Sequence, residues 1–96
     1  MGGGILKENI EYLSYPAYIR FNRQTDKQLL KSIRSIEKEL EKHKNKVISP
    51  MCYVSDWDKR NTYYRIGIVE KWKKEIKNFE TEILIGKLIA TERGIL

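Results

Sequence analysis

The sequence predicts a mainly α protein, an antiparallel helical hairpin with a short N-terminal helix. Three observations carry that prediction: apolar residues recur at helical spacing in both halves, Thr25 opens a helix-start signal, and Ser49-Pro50 separates the two periodic stretches. An α+β alternative, with a small β-hairpin around 51–69, stands beside it. The whole of 1–96 is expected to form a single small domain, because a chain of this length can bury one modest core.

Taken in order, Gly2, Gly3 and Gly4 read as a flexible leader, 1–4, and not as a phosphate loop, since no strand precedes them and no Lys-Ser/Thr follows. Met1 is not followed by a basic n-region, and Lys7 and Glu8 come too soon for a signal peptide. Over 5–13, Ile5, Leu6, Asn9, Ile10 and Leu13 share one helical face with Glu8 and Glu11 opposite, which predicts a short amphipathic helix. The segment 14–23 is expected to be extended or irregular, because Pro16 disfavours helix at Tyr15.

Thr25-Asp26-Lys27-Gln28 has the capping-box form, in which a hydroxyl and an amide each satisfy a free backbone N–H. The helix that follows carries Leu29, Leu30, Ile33, Ile36, Leu40 and Val47 as one stripe. Lys42, Lys44 and Lys46 lie in its last turns, where the helix dipole favours cations, and Ser49-Pro50 stops it.

Two periods compete after Pro50. Ser55-Asp56-Trp57-Asp58 reads as a helix cap with acids in the first turn, followed by the stripe Trp57, Tyr64, Ile68, Trp72, Ile76, Phe79, Ile83 and Ala90. Read as strand, 62–69 is rich in aromatic and β-branched residues, and 51–55 could pair with it. The helix is preferred, because the connection 56–61 has no glycine to form a hairpin turn. Two long helices joined by a short segment must lie antiparallel. Ile83, Leu84, Ile85, Leu88, Ile89, Ile95 and Leu96 are apolar around more than one face, which predicts a homodimer or an apolar docking surface built on Ile85, Leu88 and Ile89.

The totals narrow the function. Residues 47–55 are the longest run free of Asp, Glu, Lys and Arg, far short of the roughly 20 apolar residues a spanning helix needs. No membrane partner is expected. A lone cysteine, Cys52, suggests a reducing compartment and a cytoplasmic protein. The net charge of +6 and pI near 9.5 favour polyanionic partners.

Chemistry is thinly represented. His43, the only histidine, sits between Lys42 and Lys44 without a second soft ligand at i+4, and reads as a solvated or core-edge residue. Cys52 reads as a packed thiol among Met51, Tyr53 and Val54. Asp56, Asp58, Glu75 and Lys77 imitate the acid and lysine set of a metal-dependent nuclease, but such sets sit on adjacent strands, and here Glu75 and Lys77 fall in the helical pattern. A metal-free ribonuclease of the small basic kind needs a multi-stranded sheet that this chain has little room for. No enzyme activity, metal or cofactor is therefore expected.

The binding surface expected from the sequence is central. Seven basic residues over 59–77 face only Glu70 and Glu75, and 57–65 interleaves them with aromatic rings, the mixture that neutralises phosphates while planar groups stack. Lys59, Arg60, Tyr63, Arg65, Lys73, Lys74 and Lys77 are the expected nucleic-acid contacts. Tyr15, Tyr18, Arg20, Phe21 and Arg23 form a second aromatic and basic set. Tyr18-Ile19-Arg20-Phe21-Asn22 before a helix has the look of the DNA-contacting strand of ribbon-helix-helix proteins, but the next helix is too long and the turn into a second helix is missing. A small basic protein that binds nucleic acid through the phosphate backbone is thus the leading expectation, and docking of the apolar C-terminal helix on a larger protein is the alternative.

Overall fold

The computed structural model describes residues 15–96; the glycine leader and the helix expected over 5–13 lie outside the described residues. Among the described residues there are three helices and no strand: α1 over 15–22, α2 over Asp26–Ile48 and α3 over Thr62–Glu92. Two single turns of 3-10 helix, Pro50–Cys52 and Trp57–Lys59, lie in the connection between α2 and α3. The mainly α hairpin is thus the fold, and 62–69 is helix.

Where the sequence suggested an extended segment, α1 is helical. The helical residues 15–22 include Pro16, whose fixed φ is compatible with helical backbone. The gain from helix is the burial of Ala17 and Phe21, one turn apart on the same face. The ribbon-like 18–22 is accordingly not a strand.

α2 begins as its capping box dictates. Gln28 N–H donates to Thr25 Oγ1 at 3.2 Å, and Thr25 N–H donates to Gln28 Oε1 at 3.0 Å. It ends at Ser49, whose N–H still reaches Asn45 O at 2.9 Å, and Pro50 opens the first 3-10 turn. α3 starts later than the Ser55-Asp56 signal suggested. Asp56 is left-handed at φ 57°, a conformation aspartate tolerates, and the cap is Asn61, whose Oδ1 accepts from Tyr64 N–H at 2.8 Å. The later start follows from Trp57, which leaves the line of α3 to stack on Trp72 at 6.4 Å between ring centroids.

The antiparallel register can be read from facing pairs: Asp26 with Arg93, Ile33 with Gly86, His43 with Glu75 and Phe79, and Lys46 with Trp72. Each step along α2 is matched by an equal step back along α3. Ile48 therefore ends level with the turn before Trp72, and 62–70 of α3 overhangs by about 13 Å. Consistent with a two-helix rod, the extents are 50 × 31 × 19 Å.

The main core lies at the open end, away from the connection. Ala17 and Phe21 of α1 meet Leu29 and Ile33 of α2 and Ile85, Ile89 and Ala90 of α3, with Ile36 and Ile95 packed at its edge. At Gly86 a Cβ would lie 2.9 Å from Ile33 Cγ1, so glycine is what lets the helices approach this far here. Arg93 closes the same end. Its guanidinium donates to the carbonyls of Gln24 at 2.8 Å and Asn22 at 3.0 Å, and pairs with Asp26 at 3.2 Å. It thereby satisfies carbonyls that the end of α1 leaves without helical partners.

Candidate nucleic-acid interface

Helical spacing of about 100° per residue places the exposed side chains of α3 around the buried Trp72. Tyr63 falls opposite Trp72 and is 90% exposed, and Lys73, Lys74 and Lys77 follow on the same outer side, all exposed. This strip runs about 21 Å. Glu70 lies within it, its carboxylate 4.0 Å from Lys73 Nζ.

Arg60 and Arg65 belong to a different cluster. Arg65 Nε donates to Arg60 O at 3.0 Å, and the Arg60 guanidinium lies 4.7 Å from the centroid of the Tyr64 ring. Arg65 falls on the side of α3 turned toward Trp72, and Tyr63 on the far side. Lys59 is exposed on the second 3-10 turn. The seven expected contacts thus divide into an outer strip, Tyr63, Lys73, Lys74 and Lys77, and an arginine cluster at the start of α3. Among the described residues, Lys59, Arg60, Arg65, Lys74 and Lys77 are in no salt bridge.

Several other expected residues are taken up by the fold. Trp57 and Trp72 stack on each other, and Lys46 Nζ lies 5.9 Å from the centroid of the Trp72 ring, so these rings serve packing. The N-terminal aromatic and basic set disperses: Phe21 is core, Arg20 lies over its ring and reaches Glu82 at 3.6 Å, and Tyr15 and Tyr18 remain exposed. The docking surface expected from Ile85, Leu88 and Ile89 does not exist as such. Ile85 and Ile89 are 2% and 3% exposed, covered by α1 and α2, and only Leu88 faces outward. Exposed apolar side chains remain at both ends, Ile48, Met51, Tyr53 and Ile66 near the connection and Leu84, Leu88 and Leu96 toward the C-terminal end.

Of the two places expected for His43, solvated or core-edge, it takes the second and is buried. Nδ1 lies 2.9 Å from Glu39 O, Nε2 meets the Glu75 carboxylate, and the ring edge packs on Phe79 at 5.0 Å. Each ring nitrogen thus has an oxygen partner, one from its own helix and one from α3. The same contact explains why Glu75 joins no acid cluster with Asp56 and Asp58: its carboxylate is turned to α2. Among the described residues no group of three His, Cys, Asp or Glu could hold a metal ion. The Cys52 thiol is exposed, not packed, because the first 3-10 turn carries it outward.

Five further cations lie exposed on the face of α2 opposite Leu29 and Ile33: Lys27, Lys31, Arg34, Lys38 and Lys42. Their spacing was present in the sequence, but no aromatic residue marks it. Among the described residues no helix is long and apolar enough to cross a membrane. No family model, curated protein or solved structure matches the chain, so the reading of these surfaces rests on their own residues.

Proposed function

We propose that this protein is a small, non-catalytic nucleic-acid-binding accessory protein that holds the phosphate backbone on the outer strip of α3, with little base specificity. The observation that carries the reading is the alignment of Lys73, Lys74 and Lys77 with the fully presented Tyr63 ring on one exposed face. Lysines on such a face meet phosphates as point charges, and the ring offers a flat surface to sugar or base. The strip carries no arginine, asparagine or glutamine, the planar side chains best suited to forked contact with a base edge, which supports backbone binding over sequence readout.

Fluorescence anisotropy with a labelled DNA duplex over a salt series tests it. The expected result is binding whose logarithmic salt slope falls by about 3 when Lys73, Lys74 and Lys77 are all changed to Gln, since each lost phosphate contact removes about 0.9. Absence of binding at low salt, or a flat slope in the wild type, would overturn the reading.

The exposed apolar group Ile48, Met51, Tyr53 and Ile66 supports a second reading, docking on a larger protein through the connection end. On that reading Ile48→Lys with Met51→Lys abolishes complex formation and leaves the fold unchanged. Retention of the complex by this variant would remove it.

A further inference from the structure

The exposed face of α2 has a charge arrangement that helix stability does not explain. Lys27, Lys31, Arg34, Lys38 and Lys42 stand at i, i+4, i+7, i+11 and i+15, a straight ridge about 22 Å long. Each is exposed, and among the described residues none is in a salt bridge.

The acids of the same helix are placed elsewhere. Glu37 pairs with Lys87 of α3 at 3.4 Å and Asp26 with Arg93 at 3.2 Å. Glu37, Glu39 and Glu41 each stand three residues from a ridge cation (Arg34, Lys42 and Lys38), but among the described residues none of them is in an ion pair with it. An ordinary solvated helix gains from alternating charges at this spacing, whereas every consecutive pair along this ridge is of like sign and destabilises the free helix. A linear polyanion laid along the ridge would reverse that repulsion.

In a two-helix hairpin the outward faces of the helices point away from each other. The α2 ridge is therefore not a continuation of the α3 strip but lies on the opposite side of the rod. α1 does not cover it, because α1 packs on Leu29 and Ile33, on the other side of α2.

We infer that the ridge of α2 is a second phosphate-binding surface, and that one molecule holds two duplex segments, one on each side of the hairpin. The inference rests on the nucleic-acid reading but is separable from it.

The test is a bridging assay with the full chain: a bead-bound DNA duplex, the protein, and a second, labelled duplex of the same sequence at low salt. Wild type is expected to retain the labelled duplex on the beads. A ridge variant, Lys31→Gln with Arg34→Glu and Lys38→Gln, is expected to bind one duplex still through α3 and to retain at least tenfold less label. Its melting temperature should change little, since the three changes remove the like-charge pairs along the ridge while Arg34→Glu adds a single one with Glu37. Bridging by the ridge variant at the wild-type level, or single-duplex binding by the wild type without bridging, would overturn the inference and leave the α3 reading standing. If the wild type binds no duplex at all, both fail.

Discussion

Replacing Arg93 with alanine should remove the fastener of the open end. The guanidinium makes two well-formed bonds to the carbonyls of Gln24 and Asn22, a long one to Phe21 at 3.5 Å, and an ion pair with Asp26. Bonds from a charged donor contribute about 1.5 to 3 kcal/mol each where water is excluded. The Arg93 side chain is 23% exposed and that of Asp26 61%, so the ion pair is discounted to under about 1 kcal/mol and the two carbonyl bonds to about 1 each. The expected loss is about 2 to 3 kcal/mol. For a domain of this length each kcal/mol moves the melting temperature by about 4 to 8 °C, so a fall of roughly 8 to 24 °C should appear in thermal unfolding followed by circular dichroism. Arg93→Lys should recover less than half, because an ammonium on a flexible stem cannot reproduce the planar fork. A loss below about 0.5 kcal/mol, or full rescue by lysine, would refute the clasp.

The same substitution at two glycines should act in opposite directions. A methyl group added at Gly67, inside α3, would meet no heavy atom within 4 Å, so Gly67→Ala should stabilise by about 0.5 to 1 kcal/mol in urea unfolding. At Gly86 that propensity gain is outweighed by the clash with Ile33, leaving a net loss of about 1 kcal/mol; a gain there would show that the helices can part without cost. His43→Ala should cost about 2 to 4 kcal/mol by removing the Phe79 edge contact and stranding the half-buried Glu75 carboxylate. A double-mutant cycle with Glu75→Ala should then give a coupling of at least about 1 kcal/mol, and additivity would contradict the pairing. Glu70→Gln removes the one anion from the α3 strip and should tighten duplex binding roughly threefold at low salt, an effect that high salt erases. Unchanged affinity would place the nucleic acid elsewhere.

What could be read from the sequence was set by local chemistry. The start of α2 was legible because Thr25 and Gln28 satisfy each other's backbone within one turn, and its end because Pro50 cannot continue the ladder. The second half of α3 was legible from its apolar period. Its start was not: Ser55-Asp56 and Asn61 are both acceptable caps, and the choice was made by Trp57 reaching Trp72 from outside the helix. α1 was hidden behind Pro16, although Ala17 and Phe21 already stood at i and i+4. Missing α1 also turned Ile85 and Ile89 into surface, since two helices alone leave them uncovered and the third layer closes over them. The lysines of the α3 strip were found from composition and spacing. The core-edge place of His43 was one of two readings, but its partners were not legible, because Lys42 and Lys44 point to other sides of α2 and Glu75 and Phe79 come from α3.

The overhang of α3 divides the rod into a stiff half and a soft half. Around Gly86 three helices share one core and Arg93 ties their ends, so opening there requires unfolding nearly everything at once. Beyond Ile48 the first turns of α3 are held by the Asn61 cap, the Arg65–Arg60 bond and the Arg60–Tyr64 contact, with Tyr63 and Ile66 exposed. Amide protons over 62–70 should therefore exchange through local opening, well before those around Ile85 and Ile89. The part of α3 that presents Tyr63 is thus the part free to bend, while the end around Gly86 keeps its shape.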